Sequence, residues 1–402
     1  MPDSRLSPIN PKEMLTVLAA GAVLLVVTHG LGRFIFTPLL PYLVEDGQVT
    51  AEQGASVATW NYLGYLLGAL LAIRWHRIGQ IRRLLPAALA FHLVTTLAMA
   101  LTDNLFAMSA VRLLNGIANG IVFVQAPALI LEWLARRNRV ALSGHLYIGV
   151  GLGLLLSSGL VSLSSDWLAG SQRWWPALVL SVPLAWWATS RLLELEVPPQ
   201  AAASAGEKNH DTSALFDRAS VPLFLSYAGA GLGYILPMTF LPLLAKDQLP
   251  ANHWLMDGAW FVAAVAAIVS PALWNGLGAR FGDLPALKMN FIIQLTGVMA
   301  AVILPGAIGL VLCAVLVGST FIGTVMLTQR IGRALHPHQG PRLSAAMISV
   351  YGFTQMAGPW LTRQWLEASG TLTSAFGIGV AALAFGLVFL FFVPSPEERA
   401  TP

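Results

Sequence analysis

The chain has 402 residues, of which 56% are hydrophobic and only 10% charged, with a formal net charge of +4. Soluble domains carry about 25% charged residues, so this composition excludes a surface covered by water. The basic residues are spread over short connecting segments and form no aromatic-interleaved patch, which excludes a nucleic-acid partner as the reason for the positive charge.

The apolar residues gather in runs of roughly 20, the length a helix needs to cross about 30 Å of hydrocarbon. In chain order they predict twelve spans, at 14–43, 51–73, 84–102, 105–135, 140–163, 174–195, 220–245, 255–277, 285–304, 306–333, 343–366 and 371–394. The first lacks a small-residue cleavage site and is too long for a signal-peptide core, so it reads as a retained helix. Between the sixth and seventh spans, Val197 to Ala219 is rich in Pro, Ala, Ser and charge and reads as a cytoplasmic linker.

Eighteen of the 23 Lys and Arg residues fall on the side of the termini, while only Arg173, Lys246 and Arg363 fall on the other. The positive-inside rule therefore places both termini in the cytoplasm. Arg33 and Arg112 are left within spans. The single cysteine, Cys313, offers neither a disulfide nor a metal cluster.

A repeat with an offset of about 201 residues relates the two sides of the linker. GLGRFIFTPLLPYLVEDGQ from Gly30 answers to GLGYILPMTFLPLLAKDQ from Gly231, so Gly32 matches Gly233, Pro41 matches Pro242, and Asp46 matches Asp247. Arg33 meets Tyr234. Leu142-Ser143 and Leu343-Ser344 keep the same offset. The expectation is an all-α membrane protein whose N-terminal half, 1–196, and C-terminal half, 220–402, form two pseudo-symmetric six-helix bundles. Parallel halves of this kind hold a solute site at their interface and expose it alternately.

In the string AIRWHRIGQIRR from Ala72, Arg77, Gly79, Arg82 and Arg83 resemble the loop signature that follows the second span in the major facilitator superfamily. His76 stands where that signature has Asp. Arg112-Leu-Leu-Asn-Gly116 with Gly120 resembles the R-x-x-x-G pattern of its fourth span. GLGRFIFTPLLP (Gly30–Pro41) and NYLGYLLGALLA (Asn61–Ala72) are similar to the YbfB/YjiJ-type branch. The resemblance covers nearly the whole chain and implies the twelve-helix major facilitator fold, a transporter and a monomer, without implying a substrate.

Arg33 is the first candidate for a solute contact, because an arginine inside a span costs at least a few kcal/mol and is kept to face a cavity or a partner. Arg112 is expected at similar depth. Each can grip a carboxylate or phosphate bidentately, or else bind carbonyls and lock the helices. No acidic residue lies deep in a span to neutralise them; Glu132 and Asp257 lie near span ends.

His29 precedes Arg33 by one helical turn and is the candidate proton carrier, since imidazole titrates near neutral pH. His92 and His145 are weaker candidates. Asn61 with Tyr65, Tyr351 with Gln355, and Tyr227 with Tyr234 pair polar groups on single helix faces, suited to ligand contact or to bonds between helices. Asn115, Asn119 and Gln125 on the fourth span are lesser candidates.

Gly64-x-x-x-Gly68, Gly116-x-x-x-Gly120 and Gly149-Val-Gly151-Leu-Gly153 follow no strand, so they read as helix-packing sites rather than phosphate loops. Pro38, Pro41, Pro237 and Pro242 bend the equivalent first and seventh helices. His336-Pro337-His338 reads as a polar inner loop without a complete metal site.

The leading expectation is a secondary transporter of the bacterial inner membrane that moves a small organic anion or zwitterion, coupled to protons. Efflux of lipophilic drugs is the alternative, since aromatic-rich cavities suit it. A membrane-embedded enzyme or receptor is disfavoured: no nucleophile with its base, no metal cluster and no ATP-binding loop is present, and neither catalytic residues nor a cofactor are expected.

Overall fold

The computed structural model describes residues 10–75, 77–135, 137, 139–195, 216–251, 253–304, 306–336, 340–368 and 370–394. His76, Pro337, His338 and most of the predicted linker, up to residue 215, lie outside the described residues. Among the described residues the fold is all helical. In chain order the helices are α1 (Pro11–Glu45), α2 (Ala51–Arg74), α3 (Ile78–Ala100), α4 (Leu105–Ala135), α5 (Gly144–Ser164), α6 (Trp175–Leu193), α7 (Val221–Gln248), α8 (Leu255–Phe281), α9 (Asp283–Ile303), α10 (Ala307–Leu335), α11 (Gly340–Glu367) and α12 (Leu372–Leu390). Ten of these described helices, all but α6 and α11, are long and apolar enough to cross a membrane. Tryptophans and prolines dilute the apolar run in α6, and Tyr351, Gln355 and Thr362 do so in α11.

The ends follow local chemistry. Thr50 opens α2 by accepting the Gln53 amide at 3.2 Å, while its own amide donates to Gln53 Oε1 at 2.9 Å. Helix α3 begins at Ile78, six residues before the predicted 84, because Arg82 belongs to the helix and donates to the carbonyl of Leu195. The apolar run alone could not register a basic first turn. The predicted span at 140 starts as a 3-10 segment, Val140–Tyr147, before regular helix from Ile148.

Two helices depart from the regular ladder. Residues Val26–Phe34 of α1 form a nine-residue π-helical stretch, and α10 is interrupted between Gly318 and Phe321. In hydrocarbon each carbonyl so released needs another donor. At the α10 break, Trp274 Nε1 donates to the Ser319 carbonyl at 2.6 Å and Asn290 Nδ2 to that of Thr320 at 3.0 Å.

Helices α2 and α4 touch backbone to backbone through Gly64, Gly68, Gly116 and Gly120, as their spacing predicts. A Cβ on Gly116 would overlap the Asn61 carbonyl, and one on Gly64 the Leu113 carbonyl. Helix α5 uses Gly149 against Ala22 and Gly153 against Gly30 of α1. Large apolar side chains such as Phe106, Leu163, Val179, Trp186, Ile292 and Ile308 stay exposed, as befits a surface whose solvent is lipid.

Gly116→Val should therefore part α2 from α4 and cost at least ~2 kcal/mol, seen as a lowered melting temperature and poor recovery of monodisperse protein. Gly159→Ala, where a Cβ meets nothing within 4 Å, should leave both unchanged.

Candidate functional site

Gly30 and Gly32 lie within the π-helical stretch of α1, where their low helix propensity makes departure from the α ladder least costly. Pro38 has no N–H to give back toward Phe34, and the α ladder resumes with Leu39 donating to Ile35 at 3.1 Å. Arg112 of α4 donates to two carbonyls of the π-helical stretch. Its Nη1 donates to Gly32 at 2.7 Å and its Nη2 to Arg33 at 3.0 Å. Its guanidinium also lies 5.2 Å from the Phe36 ring centre and 5.5 Å from that of Trp174. Arg112 thus fixes the backbone that carries Arg33. Asn61, turned toward α4, donates to the Arg112 carbonyl at 2.9 Å.

Arg33 is only 3% exposed. Its Nη2 donates to Gln355 Oε1 on α11 at 2.7 Å, while its Nε is buried with no acceptor. The guanidinium carbon lies 4.1 Å from the Tyr65 ring centre and 4.6 Å from that of Tyr62, contacts that favour a desolvated cation. Neither Arg33 nor Arg112 joins an ion pair among the described residues.

Gln355 passes the contact on, donating from Nε2 to the Tyr234 hydroxyl at 2.5 Å. Behind it stand near-parallel rings. Tyr227 and Tyr351 have centres 4.2 Å apart and planes 15° apart; Tyr351 and Tyr234 are 5.6 Å and 11° apart; Tyr234 and Phe321 are 5.5 Å and 3° apart. The Tyr351 hydroxyl is buried without a partner. His29 packs 4.2 Å from Phe123 and 5.7 Å from Tyr65, and its Nδ1 is also buried and unpartnered.

Seven of the predicted residues, His29, Arg33, Tyr65, Tyr227, Tyr234, Tyr351 and Gln355, thus meet in one connected cluster. Arg112 and Asn61 support it from one side. His92, Asn115 and Asn119 form a separate buried network: Asn115 Nδ2 lies 3.1 Å from His92 Nδ1, and Asn119 donates to Asn115 at 3.0 Å. Gln125 donates to Trp75 at 3.2 Å near the far end of α2, and His145 lies exposed. Tyr62, Phe123 and Phe321 were missed by sequence reasoning. The NYLGY string held the signal for Tyr62, which shares the arginine with Tyr65.

A second cluster closes the Glu45 end of α1. Tyr42 donates to Asp257 of α8 at 2.7 Å and lies between two cations, with Lys246 Nζ 3.9 Å and Arg173 Cζ 4.6 Å from its ring centre. Lys246 pairs with Glu45 at 2.6 Å. Arg173 grips Asp46 from Nε at 2.8 Å and Nη2 at 3.2 Å, and the Gly170 amide adds a bond at 2.7 Å. The bonds from Arg173 hold the Asp46 carboxyl below its ordinary value.

The family profile described as "Uncharacterised MFS-type transporter YbfB" matches residues 25–391. The chain belongs to this family of major facilitator transporters. A gallate transporter of Pseudomonas putida is 25% identical over 406 residues, covering 90% of this chain and 84% of that one. A putative metabolite transport protein of Haemophilus influenzae is 23% identical over 288 residues, covering 68% and 69%. In fold, a mutant of the nucleoside transporter NupG superposes with a TM-score of 0.71 at 16% identity, covering 94% of this chain and 98% of that one. The chain is thus a multi-pass membrane transporter for a small molecule and not an enzyme.

Because ionised Asp46 is favoured by the fold, its contribution is present above the usual carboxylate value near 3.9 and is lost as pH falls through the lower folded value. Melting temperature should therefore drop as pH is lowered from about 5 toward about 2, and Asp46→Asn should lose that part of the slope in a thermal-unfolding series.

Proposed function

We propose that this transporter carries a small organic anion or zwitterion across the bacterial inner membrane by alternating access, with Arg33 as the anion contact. The observation that carries this reading is a buried guanidinium held by one neutral amide and the rings of Phe34, Tyr62 and Tyr65, with no carboxylate contact among the described residues. Such a charge is costly to keep unpaired, and a mobile anion supplies the missing partner. The name of the gallate transporter supports the class, since gallate is an aromatic carboxylate.

In this reading the twelve helices form two six-helix halves, 1–196 and 220–402, joined by the linker 197–219. Both termini lie in the cytoplasm, and the protein works as a monomer. The Tyr42 cluster then closes the periplasmic side. His29, adjacent to the arginine cluster and with an unpartnered Nδ1, takes up and releases the coupling proton.

In proteoliposomes, Arg33→Ala should abolish uptake of organic anions by the folded protein, a loss of about 2–5 kcal/mol in binding or ~30-fold and more. Uptake competed by organic cations and indifferent to this change would favour drug efflux instead. His29→Gln should leave substrate exchange at equal pH intact while removing accumulation driven by a proton gradient; unchanged accumulation would exclude His29 from coupling.

A further inference from the structure

The Nε and Nη2 atoms of a guanidinium lie on one edge, and together they match the two oxygens of a carboxylate. In Arg33 this edge is half filled. Gln355 Oε1 occupies the Nη2 position at 2.7 Å, while the buried Nε–H beside it has no acceptor. A single amide oxygen leaves that deficit; a carboxylate removes it.

What lies next to the half-filled edge decides what the rest of the anion resembles. Gln355 also bonds the Tyr234 hydroxyl at 2.5 Å, so an anion displacing Gln355 is delivered to the edge of the tyrosine row. The rings of Tyr227, Tyr351 and Tyr234 are parallel to within 15°. A ring placed beside this row meets aromatic edges and faces, which favour another aromatic ring and reward an alkyl chain far less. The unpartnered Tyr351 hydroxyl and His29 Nδ1 further offer hydrogen bonds to polar substituents on such a ring.

We propose that the site selects aromatic carboxylates, with the carboxylate on the Nε and Nη2 edge of Arg33 in place of Gln355 and the ring against Tyr234 and Tyr351. This rests on the reading of Arg33 as the anion contact. Gln355 is then a built-in stand-in: it satisfies Arg33 in the empty site and is exchanged for substrate. Exchange breaks the bond that ties α1 to α11, so filling the site and loosening these helices are one event.

The test is binding to the purified full-length chain of four probes of similar size: benzoate, cyclohexanecarboxylate, hexanoate and benzylamine. Benzoate should bind about tenfold more tightly than the saturated ring, and Arg33→Ala should abolish binding of both. Tyr351→Leu should erase the preference for benzoate over cyclohexanecarboxylate, whereas Tyr351→Phe should keep it. Tyr234→Phe serves as a second variant if Tyr351→Leu does not fold: it keeps the ring, removes the Gln355 tether and should preserve the preference for benzoate.

Equal affinity for benzoate, cyclohexanecarboxylate and hexanoate, all lost in Arg33→Ala, overturns the aromatic class and leaves the anion reading standing. Binding of benzylamine in preference to the acids, or benzoate binding that survives Arg33→Ala, overturns both.

Discussion

A membrane helix that leaves the α ladder releases carbonyls where no water can meet them, and the candidate site depends on how this chain settles that demand. The π-helical stretch of α1 is stabilised by Arg112, whose two terminal nitrogens donate to Gly32 and Arg33. Because the second of these carbonyls belongs to Arg33 itself, the donor fixes the backbone from which the other guanidinium projects. Helix α10 diverts the Gly323 amide to Ser270 Oγ and supplies the Ser319 carbonyl with a neutral donor, Trp274 Nε1. The difference matters. Donors that carry charge form the stronger hydrogen bonds, and a second cation near Arg33 makes the neighbourhood still more receptive to an anion.

The repeat gains physical content from the contacts across it. Thr37 donates to the Met238 carbonyl at 2.7 Å, and the two positions are 201 apart. Glu45 pairs with Lys246, and Arg33 and Tyr234 meet on opposite ends of the Gln355 amide, both at the same offset, 246 − 45 and 234 − 33. These pairs at one offset show that α1 and α7 lie side by side, with repeat-related residues of the sequence meeting across the contact. There the two copies of the repeat differ most. One has a charged side chain on a π-helical stretch and the other a phenol on regular α-helix, which gives the contact between α1 and α7 a positive side and an aromatic side.

Much of the fold is legible in the sequence because the apolar runs count residues against a fixed thickness. The starts of α2 and α4 match the predicted 51 and 105. Where a run begins with charge, as at Arg82, its hydropathy hides the first turns. Of the site, the residue types were legible and the wiring was not. Arg33, Tyr234 and Gln355 stand out as polar groups in apolar spans, but a π-helical stretch carries no side-chain signature beyond two glycines. Arg112 stood next to Arg33 among the candidates because a sequence does not reveal whether a guanidinium will bind carbonyls or keep an unpartnered nitrogen. The Tyr42 cluster escaped notice for another reason. Its charges sit at helix ends, where Lys246 and Arg173 read as topology signals, although opposite charges at the repeat-related positions 45 and 246 were visible.

Arg33, Thr37, Pro41 and Glu45 recur every four residues, and so do Tyr234, Met238, Pro242 and Lys246 on α7. Side chains at this spacing share one helix face, so the two stripes face each other as rungs from the arginine cluster to the Glu45 end. Thr37 with Met238 and Glu45 with Lys246 are bonded directly, Arg33 and Tyr234 are bridged by Gln355, and the remaining pair, Pro41 and Pro242, has no amide hydrogen to donate. In the proposed reading, a solute reaching Arg33 from the Glu45 end parts these contacts. The rung at Arg33 is the one an anion can replace atom for atom, because a carboxylate oxygen can stand where Gln355 Oε1 now stands. At the Glu45 end the pair is only partly screened by solvent, since Glu45 is exposed while Lys246 is mostly buried over the Tyr42 ring. In the proposed reading, an arginine with one unpartnered nitrogen on α1, bonded to an amide on α11, couples occupancy of the site to the contact between these helices.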